Sequence, residues 1–341
     1  MSLVKLKKQA KNIGKDILLG SSYRLGLSRQ LVSRKADAGK LILTYHNVLP
    51  EEEMTPYYTN NVDVTTSAFE FQIKTLKNLF GIQPASKLND TDQNGIFISF
   101  DDGMLNNIEI IEPILAKYNV TAMFGICSGL VEGTIDFIWR DYLYLILKNL
   151  KGKKILISDL PSLSGSEIRD GNLNFIAKAI TEHIESTGQM DHIYDYITRV
   201  AMENDISIPR KYVPQLRYTP MGIPDIQNLN NKGHLIASHT HTHRKLSMLS
   251  ESELENEMKQ SRSFLLDIIG SCDTLVYPYG SNKEVNDKVG KSAENWGYNY
   301  AYMNIPSSKP CNNFSQPRLN MRNISSKSEF LGLLAGINKI L

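Results

Sequence analysis

Gly95-Ile-Phe-Ile-Ser-Phe-Asp-Asp-Gly103 is the stretch on which the reading of the fold turns. From Ile96 to Phe100 no charge interrupts a run of β-branched and aromatic residues. Two carboxylates and a glycine then stop it. A short apolar run bounded by turn chemistry reads as a strand buried on both faces, the pattern of parallel sheets. The same reading applies on either side. Leu41-Ile-Leu-Thr-Tyr-His46 precedes it, and Thr121-Ala-Met-Phe-Gly-Ile-Cys127, Leu235-Ile-Ala-Ser238, Thr274-Leu-Val-Tyr277 and Tyr300-Ala-Tyr-Met303 follow. Between these lie helical patterns: Phe69 to Leu79, Asn107 to Lys117, and Ser250 to about Ile269. The last opens on Ser250-Glu-Ser-Glu253, a capping box, and Gly270 is its expected stop. Strands that alternate with helices predict parallel β/α layering, as a barrel or an open sheet.

Residues 130–218 break the alternation. FIWRDYLYLILKNL, LNFIAKAI and HIYDYITRVAM are helical in pattern and carry little strand signal. Alternation resumes near Ile223, so this stretch reads as a mostly helical insertion between two strands of one domain spanning 41–341.

The 341 residues carry a formal net charge of +2, too little for a generic nucleic-acid binder. That sum is uneven. Residues 1–40 hold ten Lys/Arg against Asp16 and Asp37, a net of +8, which leaves −6 on the remainder. The leader has no long apolar core after its charges, as a secretion signal would require, and no A-x-A-like cleavage site. Leu6, Ile13, Ile17, Leu18, Leu25 and Leu31 interleave with the cations. The leader therefore reads either as a solvated helix or as one resting on an anionic membrane face. No apolar run spans a bilayer. The expected setting is cytoplasmic, peripheral at the inner membrane face. Cys127, Cys272 and Cys311 form neither a disulfide framework nor a metal motif.

Two constellations carry chemistry. Asp101 and Asp102 end a strand, where parallel α/β folds gather their functional groups. Adjacent acids point apart, so one can hold a metal while its neighbour stays free as a base. His239-Thr-His241-Thr-His243 also follows a strand. The spacing of His239 and His243 suits one face of a helical turn and two imidazoles on one ion, with His241 pointing elsewhere. Two His and one Asp leave open positions and suit Zn²⁺, Fe²⁺, Co²⁺ or Ni²⁺. Two weaker features are Tyr277-Pro278-Tyr279-Gly280, a strand running into a turn, and His46 at the end of the first strand.

Together these features resemble the polysaccharide deacetylases with the NodB homology domain, carbohydrate esterase family 4. Phe100-Asp101-Asp102-Gly103 looks like that family's first motif, Ser238-His239-Thr240-x-x-His243 its second, and Tyr277-Pro278-Tyr279-Gly280 its third. Tyr45-His46-Asn-Val48 and Phe69-x-x-Gln72-x-x-x-Leu76 resemble the branch that deacetylates poly-N-acetylglucosamine and related glycans. The resemblance covers roughly 41–128 and 219–322. It implies a distorted (β/α)₇ barrel and a divalent-metal hydrolase, with Zn²⁺ first, that removes N-acetyl groups from a glycan or sugar in envelope or capsular glycan synthesis. It further implies Asp102, His239 and His243 as ligands and Asp101 as general base. The Tyr279 backbone N–H, beside Pro278, would hold the oxyanion, and His46 would protonate the departing amine.

The chain departs from the family in two places. Many relatives carry an arginine in the third motif that holds the catalytic aspartate, where this chain has Val276. Arg318, in Gln316-Pro-Arg-Leu319, is a candidate to supply that guanidinium from elsewhere in the barrel. The Leu-x-His motif near the C-terminus is absent, because His243 is the last histidine. Those departures leave open a glycan-binding relic of the same fold. A metal-dependent glycosyltransferase is the rival enzyme class, but it leaves the histidines unused. Neither GxGxxG nor a P-loop is present.

Overall fold

The computed structural model describes residues 14, 18–54, 63–208, 216–306 and 312–337. Residues 1–13 and 15–17 of the leader and Cys311 lie outside them. The strands are β1 (Lys40–Tyr45), β2 (Asn47–Leu49), β3 (Asp63–Thr65), β4 (Gly95–Phe100), β5 (Met123–Ile126), β6 (Leu235–Ser238), β7 (Thr274–Val276), β8 (Tyr300–Met303), β9 (Gln316–Pro317) and β10 (Leu319–Asn320). The helices, in chain order, are α1 (Leu27–Ala38), α2 (Thr66–Leu79), α3 (Glu112–Lys117), α4 (Ser128–Glu132), α5 (Trp139–Asn149), α6 (Leu173–Ser186), α7 (Ile193–Glu203), α8 (Ile223–Asn231), α9 (Glu251–Ile269), α10 (Asp287–Asn295) and α11 (Lys327–Ala335).

Every pairing in the main sheet is parallel, in the order β10-β1-β4-β5-β6-β7-β8-β9. β9 pairs with β8 through Tyr302↔Gln316, and β10 pairs with β1 through Leu43↔Leu319. Only Arg318 separates β9 from β10. One short segment thus joins both edges of the sheet, and the sheet is a barrel, nearly closed, as the resemblance implied. Closure removes the exposed edges that an open sheet would have to cover.

Period-two alternation divides the strand residues between two faces. Ile42, Phe97, Met123, Ala237, Val276 and Tyr302 form one buried cluster that no helix residue enters. Their neighbours Leu43, Ile98, Phe100, Phe124, Ile236 and Leu275 pack in the large cluster with the helices. The first set is therefore the barrel interior. On β4 the inward sequence is Phe97, Ser99, Asp101, which aims the first carboxylate of the motif into the barrel. On the outer face Tyr45, Phe100 and Phe124 stack across three strands, with ring centroids 5.6 and 5.0 Å apart.

α2 buries Phe69, Gln72 and Leu76, as the spacing predicts. Gln72 accepts from the Tyr45 hydroxyl at 2.8 Å and donates to the carbonyls of Arg322 and Ile324, each at 2.9 Å. A buried amide with all three partners ties the chain just after the closing segment to β1. The stretch Asn107–Lys117 is helical but not uniform: Asn107–Ile111 winds as a π turn before α3. Among the described residues five α-helices, α4 to α8, lie between β5 and β6. In α9 the Ser250 hydroxyl accepts from the Glu253 N–H, and Gly270 ends the helix with φ 74°. No helix among the described residues is long and apolar enough to cross a membrane.

Candidate active site

The loops that leave the C-terminal ends of β4, β6 and β7 meet at one place. Asp101 still belongs to the ladder, since its N–H donates to the Tyr45 carbonyl at 3.0 Å. Its carboxylate points inward and is fully buried. Arg318 grips it with two hydrogen bonds, Nη1 to Oδ1 at 2.7 Å and Nη2 to Oδ2 at 2.9 Å, and Nη1 also donates to Ser99 at 3.3 Å. The guanidinium therefore does arrive from the closing segment. Two parallel bonds fix both position and orientation of a carboxylate. Burial pushes the Asp101 carboxyl up, but the charge and hydrogen bonds of the Arg318 guanidinium outweigh it and hold it below the usual carboxylate range. His46 stands beside it, with Nε2 3.8 Å from Oδ2.

Asp102 breaks the alternation. Its φ of 78° is left-handed and turns the second carboxylate away from the first. Asp102 Oδ1 lies 3.3 Å from His239 Nε2 and 3.3 Å from His243 Nε2. One donor atom from each of the three side chains falls within 4.8 Å of the others. Against the expectation from their spacing, the histidines do not share a helical turn. They stand on a loop, where Thr240 (φ 62°) and His243 (φ 55°) are both left-handed. Tyr279, with φ 61°, is a third such residue around the site besides Asp102. Non-glycine residues in that region cost energy and persist only where surrounding contacts impose them.

The surroundings also fit a metal ion. His239 Nδ1 meets the Val276 carbonyl at 2.8 Å, so Nδ1 carries the proton and Nε2 presents its lone pair. Asp102 Oδ1 and His239 Nε2 are buried with no hydrogen-bond partner. Buried polar atoms without partners are rare in folded proteins and call for an explanation. One oxygen and two imidazole nitrogens are the donor set of catalytic Zn²⁺ and related ions. Burial raises the Asp102 carboxyl, but the imidazoles that crowd it hold it well below its ordinary value.

His241 points elsewhere, as expected, with Nδ1 2.9 Å from Ser128 Oγ. Its backbone exposes a feature the motif reading missed. Glu257, on α9, is buried and accepts from the N–H groups of His241 (2.9 Å) and Thr242 (2.7 Å), from the Thr242 hydroxyl and from Arg244 Nε (3.0 Å). Arg244 also donates to Glu253 at 2.7 Å. The sequence did hold a signal. Leu254, Glu257, Met258, Ser261 and Leu265 follow the helical spacing of α9's buried face, and Glu257 is the one acid in that stripe.

Tyr277-Pro278-Tyr279-Gly280 turns beside this loop. Gly280 is left-handed at φ 59°, and a Cβ there would stand 2.6 Å from the Asn304 nitrogen, so the turn requires glycine. The Tyr279 ring lies edge-on to His243 at 5.0 Å, with the Arg140 guanidinium 4.6 Å from its centroid and the Trp139 ring at 6.3 Å. The start of α5 thus completes one wall. The Tyr279 N–H has no hydrogen-bond partner among the described residues.

Residues 208–301 match the family model for polysaccharide deacetylase. No curated protein matches the chain in sequence. Among solved structures, the Streptococcus pyogenes deacetylase PplD in complex with acetate shares 16% identity with a TM-score of 0.52, and the match covers 86% of this chain and 95% of that one. A polysaccharide deacetylase from Bacillus cereus shares 17% identity with a TM-score of 0.50, covering 87% of this chain and 68% of that one. At these identities the likeness establishes the fold. The chain therefore carries the sequence signature of the polysaccharide deacetylases, in residues 208–301, on the fold of that family's solved members.

Proposed function

We propose that this protein is a metal-dependent hydrolase that removes N-acetyl groups from a glycan, in the synthesis of an envelope or capsular polysaccharide. One observation carries the reading: an ionised, arginine-gripped carboxylate stands next in sequence to an Asp-His-His donor set. Asp102, His239 and His243 would hold the ion, Zn²⁺ being the first choice for those donors. A divalent cation there would polarise the acetamide carbonyl and acidify a water.

The remaining work falls to the chain's own side chains. Asp101 takes the proton of the attacking water. Arg318 keeps that carboxylate ionised and aimed, so it acts as a base at neutral pH. The Tyr279 N–H, within the rigid Pro278-Tyr279-Gly280 turn, donates to the oxygen that becomes negative. His46 gives a proton to the amine as the C–N bond breaks, and its place beside Asp101 lets the two groups share one reacting centre. A body with a net charge of −6 over residues 41–341 fits a sugar substrate rather than a nucleic acid.

Acetate release from N-acetylglucosamine oligomers tests the reading. Chelation should abolish turnover and Zn²⁺ should restore it. Asp101→Asn should lower kcat by roughly 10²–10⁴-fold, the usual worth of a general base. Full activity in Asp101→Asn would remove the base assignment. Absence of acetate release from every acetylated glycan offered to the Zn²⁺-loaded protein would remove the enzyme assignment.

A further inference from the structure

The large apolar residues exposed among the described residues are unevenly spread. Leu18 (38%), Tyr23 (38%), Leu25 (83%) and Leu27 (46%) crowd into ten residues just before and at the start of α1. The same stretch is firmly seated. Leu19, Val32 and Ala36 are buried in the main core. The chain bends at Gly26 (φ 72°), and the hydroxyls of Ser22 and Ser28 meet across the bend at 2.6 Å. Lys35 Nζ donates to the Leu334 carbonyl at 3.0 Å and fastens α1 to the last turn of α11. An apolar corner on a fixed base is not a frayed terminus.

Its charge selects a partner. Arg24, Arg29, Arg34 and Lys35 are exposed, and no acid occurs between residues 18 and 36. Its position matters too. α11 follows the closing segment, starting at the end of the barrel where the site lies, and finishes beside Lys35. α1 packs along α11 and β1 and is joined to β1 through Gly39 alone, so it runs in the same sense as α11. At 1.5 Å per residue its 12 residues place Leu27 roughly 18 Å from β1's start.

We propose that this corner docks the protein on an anionic lipid surface, with Tyr23, Leu25 and Leu27 entering the headgroup boundary and Arg24 and Arg29 pairing with lipid phosphates. Apolar side chains flanked by cations bind such surfaces through both terms together. Four side chains fall well short of the roughly 800 Å² per partner that a stable protein interface needs, which favours lipid over a second copy. The proposal stands apart from the deacetylase reading, because it is measured without turnover.

The test is co-sedimentation of the full chain with vesicles of phosphatidylglycerol and phosphatidylcholine, against phosphatidylcholine alone. The wild type should bind only the anionic vesicles. Leu25→Glu with Leu27→Glu, and separately Arg24→Glu with Arg29→Glu, should each lower the partition coefficient at least ten-fold, since each arginine near the surface is worth roughly five-fold. Phe175→Glu with Met202→Glu, which removes apolar residues exposed elsewhere, should change nothing. All these positions are exposed, and an unchanged circular dichroism spectrum confirms the fold of each variant. No binding by the wild type, or equal binding by the corner variants, would overturn the proposal. So would light scattering that shows the corner holding a dimer together.

Discussion

The loop after β4 and the loop after β6 converge from strands two places apart in the sheet, and each is braced by a buried charge of opposite sign. Asp101 needs a cation and receives Arg318, which arrives 217 residues later in the chain. The His239–Arg244 loop presents backbone N–H groups and a guanidinium, needs an anion and receives Glu257. The first brace acts directly on the carboxylate proposed as the base. The second acts on backbone, and so on the placement of His243. The difference teaches that one residue's ionisation and one loop's shape are secured separately. Disturbing one brace should leave the other's property standing.

The largest effect should come from Arg318→Gln. It leaves a buried carboxylate without its counter-charge, a loss of about 3–5 kcal/mol in folding stability for pairs of this kind. Displacing the base by even an ångström costs roughly 10²-fold in rate. Zn²⁺ affinity, measured by chelator competition, should stay within a few-fold of wild type, because Asp102 and the histidines keep their own supports. A double-mutant cycle sharpens the point. Asp101→Asn should cost much less stability in the Arg318→Gln background than alone, and additive losses would show that the pair is not coupled.

Glu257→Gln should do the reverse. The amide replaces one acceptor oxygen with a donor that faces N–H groups. Metal affinity should fall about 10–100-fold, the usual cost of losing support behind a ligand. Once Zn²⁺ is saturating, acetate release should recover most of its rate. A variant with unchanged Zn²⁺ affinity would break the comparison, by showing that the loop holds its shape without Glu257.

The smallest effect concerns how tightly α4 covers the second loop. A Cβ on Gly129 would stand 2.5 Å from the His241 carbonyl oxygen, which already accepts the Gly129 N–H at 2.8 Å. Gly129→Ala should cost about 1–3 kcal/mol, as overpacking does, and lower Tm by several degrees. At the matching position by the first loop, a Cβ on Gly103 would meet Ile126, its side chain at 3.3 Å and its backbone Cα at an ordinary 3.5 Å. Gly103→Ala should therefore act through its φ of 79° rather than through a collision with backbone.

Much of this was legible in order along the chain. The Ile96–Phe100 run, its counterparts and the helical periods between them gave a parallel β/α fold, because strand burial and helix faces leave their periods in the sequence. The end of β4 and the His-x-x-x-His spacing gave a candidate donor set of two histidines and one of two adjacent aspartates, and the resemblance singled out Asp102. The spacing misled in one respect. Two imidazoles four apart can share a helical turn, but here left-handed Thr240 and His243 bring them together on a loop. Glu257 belongs to no motif, although its place among Leu254, Met258 and Ser261 marks a buried face.

By itself, then, the sequence determined the strand and helix order, the strand ends where polar side chains gather and the residue types of the candidate donor set. All of these depend on neighbours a few residues apart. Tertiary structure alone decided which carboxylate is gripped by Arg318, which acid braces the histidine loop, and which apolar residues before α1 are left exposed. Each of those depends on closing a sheet through Gln316–Pro317 and Leu319–Asn320, and barrel closure joins residues hundreds of positions apart that share no period in sequence.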